Sequence, residues 1–150
     1  MAHNEYLFCR ASFAADLLWK TWENKKQPIE LRTRAIDLSV ELADPSLATK
    51  LVTRFEQWRG ASLESTEALA LCQNAAYAIG RLAPPGAGDA LVRALDDGAF
   101  PEIVAAAATG LGLMGAQCPP SAKPKLRALA RSEEQQVALA AAHGAALCGK

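Results

Sequence analysis

The chain has 150 residues, 51% of them hydrophobic and 21% charged, which suits one folded domain and excludes disorder over most of its length. At that size a core can bury roughly two thirds of the surface of the unfolded chain. Lysine plus arginine and aspartate plus glutamate both number 16, so the formal net charge is zero and the basic excess that phosphate binding favours is absent.

In chain order, Asn4 can cap a first helix over about 5–25, with Leu7, Phe8, Ala11, Ala14, Leu17, Leu18 and Trp22 at helical spacing. Pro28 fits the first turn of a second helix carrying Ile29, Leu31, Ala35, Ile36, Leu38, Val40 and Leu42. After the turn at 43–46, a third helix runs from about 46 to 59 and stops at Gly60, read as a left-handed terminating residue. Ser62 or Ser65 opens a fourth helix to about Leu82, and the stretch 83–88 breaks it. A short helix from Asp89 to Asp96, one from Pro101 to about Met114, one over about 121–131 and one ending at Leu147 complete the series. No stretch alternates with period two for long enough to be a strand.

The series contains a repeat. Residues 34–42 read RAIDLSVEL, 74–82 read NAAYAIGRL, 106–114 read AAATGLGLM and 140–148 read AAAHGAALC. Their spacings of roughly 40, 32 and 34 residues are those of helical-repeat arrays, in which neighbouring units complete each other's core. Glycines at 80, 110, 112 and 144 let helices approach closely.

Residues 75–82 (AAYAIGRL) and 89–97 (DALVRALDD) resemble the two helices of a HEAT repeat, specifically the short bacterial type named after phycobilisome lyases. The resemblance covers about 29–150 and implies an all-α, right-handed α-solenoid of about seven or eight helices. In it, 1–27 forms an N-terminal capping helix and 28–150 forms three to four antiparallel pairs within a single 1–150 domain. The arginine that the family carries early in this helix stands here only at Arg32; Cys72, Val104 and Ala138 occupy the matching places.

Candidate chemistry is sparse. Residues 110–115 match G-x-G-x-x-G, but a dinucleotide site needs a preceding strand, and 105–109 read as helix. Asp37 and Glu41 share a helix face at i, i+4, without a histidine or third carboxylate at matching spacing. His143 and Cys148 are five residues apart and do not stack, with no orienting third residue in view. Cys9, Cys72, Cys118 and Cys148 form no C-x-x-C pair, so no disulfide framework or zinc site is expected. The opening MAHNEYLFCR lacks the basic and apolar regions of a signal peptide, and no segment has membrane-spanning length. These features lead to the expectation of a reduced, soluble, cytoplasmic protein with no catalytic residues, metal or cofactor.

The resemblance also implies a binding surface, because in the family the variable positions of this helix line a concave face. Carried over, these are Arg34, Asp37 and Glu41; Gln73, Asn74, Tyr77 and Arg81; Ala106, Thr109 and Leu113; and Ala140, His143 and Leu147. The groove would be charged at one end and apolar at the other, which suits a protein segment rather than a phosphate backbone. Trp22, on the face of Leu18, is read as capping the core; Trp19 and Trp58 suit either core or interface. The last helix has almost no polar outer face, so Leu139 and Leu147 mark a possible interface, met by a homodimer, a partner or further repeats. The expected role is a scaffold, adaptor or chaperone-like protein-binding module. The alternatives are an accessory or lyase-like protein for chromophore attachment and a HEAT-like nucleic-acid binder.

Overall fold

The computed structural model describes the backbone of residues 2–150, and the side chains of residue 10 and residues 12–150. Eight α-helices follow one another: α1 (Ala2–Glu23), α2 (Ile29–Leu42), α3 (Pro45–Ala61), α4 (Thr66–Leu82), α5 (Ala87–Ala94), α6 (Pro101–Leu113), α7 (Ala122–Leu129) and α8 (Gln135–Leu147). A 3-10 turn (Gly115–Gln117) follows α6, and no strand occurs among the described residues. Helix α1 starts at Ala2, so Asn4 lies inside it and is not its cap. The side chains of His3, Asn4, Leu7, Phe8, Cys9 and Ala11 lie outside the described residues.

Helices α1 with α2, α3 with α4, α5 with α6, and α7 with α8 form four hairpins, and α2, α4, α6 and α8 pack in succession. The chain is therefore a two-layered α-solenoid. The four repeated segments all fall on the inner succession α2–α4–α6–α8. The repeat extends to the backbone: the tenth position counted from the start of each segment is Ala43, Ala83, Gly115 or Gly149, with φ of 54°, 46°, 56° and 86°. Each ends its helix or the turn just after it in the left-handed conformation, and the N–H groups of Ala43 and Ala83 return to the carbonyls of Ser39 and Ile79.

The two layers are held differently. The outer one is linked at every step by ion pairs. Glu23 takes Arg54 at 2.6 Å, Glu56 takes Arg93 at 3.0 Å and Asp96 takes Lys125 at 2.6 Å. The Glu56 carboxylate, which accepts a hydrogen bond from Arg59 at 2.7 Å, holds that guanidinium's pKa above its ordinary value. The inner layer is apolar and small. A methyl group on Gly110 would lie 2.6 Å from the carbonyl oxygen of Ala76, and one on Gly144 would lie 2.5 Å from that of Ala108. Gly80 faces Gly110, and Gly112 faces Gly144, so the absence of side chains sets the approach of α4, α6 and α8.

Helix ends follow local chemistry. The Asp44 carboxylate accepts hydrogen bonds from the Ser46 hydroxyl and from the Ser46 and Leu47 N–H groups, which caps α3. The Ser46 hydroxyl, chiefly, holds that carboxyl below its ordinary pKa, with the two N–H groups adding to it against some desolvation. Ser65 caps α4 by accepting from the N–H of Ala68 at 3.1 Å. Gly60 does not terminate α3, contrary to expectation. It sits inside the helix, has no positive φ, and the helix continues to Ala61, with the Ser62 hydroxyl donating to the Trp58 carbonyl.

Trp22 is fully buried and Trp58 nearly so, which places both in the core. Trp19 is half-buried, donates to Glu23 and lies under Lys50, whose Nζ is 4.8 Å from the ring centre. Arg32 is buried: its Nε donates to the Trp22 carbonyl at 2.8 Å, and its guanidinium lies 3.5 Å from Glu67. The one arginine in the family's place thus ties α1 and α2 to the start of α4.

Cys118 and Cys148 form a buried disulfide, with Cα atoms 5.2 Å apart. This overturns the expectation of reduced cysteines at that pair. Cys118 precedes α7 and Cys148 follows α8, so the hairpin returns the chain to its start and brings together residues 30 apart in sequence.

Candidate functional site: the exposed inner-layer face

The fourth and eighth positions of each repeated segment are four residues apart and so share a helix face. They form two rows across the inner layer: Asp37, Tyr77, Thr109 and His143; and Glu41, Arg81, Leu113 and Leu147. Asp37, Glu41, Tyr77, Arg81, Thr109 and Leu113 converge on one cavity of about 450 Å³, whose lining is completed by Val40 and Ala78. Six of the residues anticipated from sequence thus lie around one concavity spanning α2, α4 and α6.

Its chemistry is graded. Asp37 and Glu41 present carboxylates from α2, and Asp37 accepts a hydrogen bond from Asn74 at 3.0 Å. Tyr77 and Arg81 stand on α4, with Tyr77 39% exposed. Among the described residues neither Glu41 nor Arg81 enters an ion pair, so both charges remain open to a ligand. Thr109 turns its hydroxyl proton to the Ala105 carbonyl, and Leu113 offers a 38% exposed apolar side chain.

The other anticipated residues lie elsewhere. Arg34 and His143 are exposed, and Gln73 and Asn74 are half-buried, but none lines the cavity. Ala106 is buried and does not reach this surface. Leu139 is 64% exposed; Leu147 is 36% exposed and packs partly over Gly112. Val40 and Ala78 escaped the sequence reading, although they occupy the repeat positions that are glycine at the α4–α6 and α6–α8 steps. That substitution pattern is the signal that could have found them.

The remaining motifs have structural explanations. Gly110 and Gly112 face the backbones of α4 and α8 and leave no room for a phosphate. Cys148 is held in the disulfide and offers no thiolate beside His143. Burial, opposed by the nearby Arg59 charge, pushes the Cys72 thiol up to about 12, so it is inert at neutral pH. Among the described residues no three or more His, Cys, Asp or Glu side chains gather as a metal site. Among the described residues no helix is long and apolar enough to cross a membrane.

No curated protein and no solved structure matches the sequence. A family model does: residues 61–146, more than half of the chain, match HEAT repeats. The match runs from the end of α3 through almost all of α8 and leaves the first hairpin outside, although α2 takes the same place in the layer. With four stacked hairpins, one repeated inner-helix pattern and that match together, the chain belongs to the HEAT-repeat family.

Proposed function

We propose that this protein is a non-catalytic scaffold, adaptor or chaperone-like module that captures a segment of a protein partner at the α2–α4–α6 face. The observation that carries this reading is the convergence of Asp37, Glu41, Tyr77, Arg81, Thr109 and Leu113 on one cavity. Carboxylates at one end and Leu113 at the other suit a segment with a basic side chain beside an apolar one. Tyr77 supplies the aromatic surface on which binding energy commonly concentrates. A nucleic-acid backbone would meet two carboxylates against one arginine here, and nothing in the cavity favours a chromophore.

Peptides selected from a random library against the chain test this reading. They should carry the basic–apolar pattern, and the double variant Tyr77→Ala with Arg81→Glu should bind them at least about tenfold more weakly at unchanged helicity. The control Arg93→Glu, on the outer layer, should bind as the parent does. Selected peptides indifferent to the double variant would remove the cavity from the function.

A cytoplasmic location loses the support of reduced cysteines at Cys118–Cys148, since disulfides persist mainly in oxidising compartments. Alkylation of protein taken directly from cells, followed by mass analysis, reports the state of this pair.

A further inference from the structure

The repeat register identifies which edge of each inner helix receives the next. Ala76 and Gly80 on α4, and Ala108 and Gly112 on α6, are buried, and the glycines face Gly110 and Gly144 of the following helix. The same places on α8 are Ala142 and Ala146, both exposed, next to Leu139. The opposite edge behaves in the mirror sense. Leu71, Ile103 and Val137, three residues ahead of each segment, are buried, as are Ala78, Gly110 and Gly144 at its fifth position. The counterparts on α2 are Leu31, 46% exposed, and Leu38, half-buried.

We infer that these two edges belong together: the α8 edge of one copy receives the α2 edge of a second copy, head to tail, in the register that joins α4 to α6 and α6 to α8. Such a contact pairs Ala146 with Leu38, one small residue with one large, just as the α2–α4 step carries Val40 and Ala78. It also covers the apolar side chains left bare at the ends. Of the eight exposed large hydrophobics among the described residues, Phe13, Leu17 and Leu31 belong to the first hairpin, and Leu139 lies beside Ala142 and Ala146 on the free edge of the last helix.

Charge fits the same geometry. Every hairpin runs out along the outer layer and back along the inner one, so the turns within hairpins lie along one edge of the array. The first of these turns carries Lys25 and Lys26, and the last carries Glu133 and Glu134, all exposed and none in an ion pair. Head-to-tail stacking makes those two turns neighbours. Within the chain the equivalent step already uses this device, where Asp96, in the turn after α5, takes Lys125 of the next hairpin. A two-fold contact between two α8 helices would leave the Leu31 edge and the lysine turn bare. The head-to-tail interface is heterologous, and because it continues the register of the solenoid it leaves one free edge at each end of the stack, so growth is open-ended.

Sedimentation velocity over about 10 μM to 1 mM, the range for a small interface, tests the assignment. The expected result is an average mass that rises with concentration past that of a dimer and falls when salt is raised. Leu31→Glu and Leu139→Glu, at exposed positions, should each stop growth with helicity unchanged. Their equimolar mixture should give a species of two chains and no larger one, because one good edge of each kind remains. If either variant loses helicity, Lys25→Glu with Lys26→Glu replaces it, and should weaken growth that Glu133→Lys with Glu134→Lys on the same chain restores. A wild type that stays monomeric at the highest concentration overturns the inference. So does a Leu31→Glu variant that still forms dimers while the mixture gains nothing, which would assign the contact to α8 alone.

Discussion

The α2–α4 step and the two steps that follow it use one repeat in opposite ways. From α4 to α8, glycine faces glycine and the helices meet backbone to backbone at those positions. At α2–α4 the same positions carry Val40 and Ala78, and there the cavity opens. Other differences run along the same divide. Helices α3 and α4 begin with side-chain caps at Asp44 and Ser65, whereas α2 before them and α5, α6, α7 and α8 after them have none. The left-handed residues are alanines in the first two repeats and glycines in the last two. The only disulfide among the described residues closes the last hairpin. A solenoid can therefore open a cavity by loosening one step while its neighbours stay tight, without any change of fold.

That contrast can be broken from the C-terminal side. The disulfide closes a loop of about 30 residues, for which chain-entropy arguments give about 3 to 4 kcal/mol. Replacing Cys118 and Cys148 together by serine should cost that much in urea unfolding, with hydrogen exchange accelerated in α7 and α8 and little changed in α2. Uniform acceleration would show the two halves to be one cooperative unit. Gly110→Val drives a branched side chain toward the Ala76 carbonyl and the Leu91 methyl groups, and should cost about 2 to 3 kcal/mol. Gly60→Val, where nothing lies within 4 Å, should cost far less. An equal loss at both would refute close packing as the reason for glycine at 110.

On the N-terminal side the expected effects are smaller. Asp44→Ala should remove about 1 kcal/mol through the lost cap of α3. Because the folded carboxyl lies below its ordinary pKa of 3.8, the cap's charge-linked contribution is complete above that pH and is lost as pH falls through the folded value. A variant as stable as the parent at pH 7 would contradict it. Ala83→Gly should raise stability by about 0.5 kcal/mol, since φ of 46° suits glycine better than alanine. A lower melting temperature would place the benefit of Ala83 in its packing.

The helices and their phase could be read from the sequence because apolar spacing and the segments at 34, 74, 106 and 140 repeat the same physical demand. The i, i+4 rule then placed Asp37 with Glu41, Tyr77 with Arg81 and Thr109 with Leu113 on one face, and the structure gathers these six. Tertiary distance was harder to read. Cys118 and Cys148 are remote in sequence, and only the antiparallel return of α8 along α7 brings them together. Gly60 carries the composition of a helix end but not its conformation, since the chain needs no left-handed turn before Ser62. Ala106 belongs to the same segment as Thr109, yet at a position that points into the core.

The Cys118–Cys148 bond also sets how the molecule would carry tension. A pull applied at Lys150 passes through that covalent link to the end of α6 and bypasses the last hairpin. About 100 Å of chain between the two sulfurs is thereby withheld from stretching until the bond is reduced. Under load, the oxidised molecule would extend less than its reduced form, because the last hairpin lies outside the path of the force.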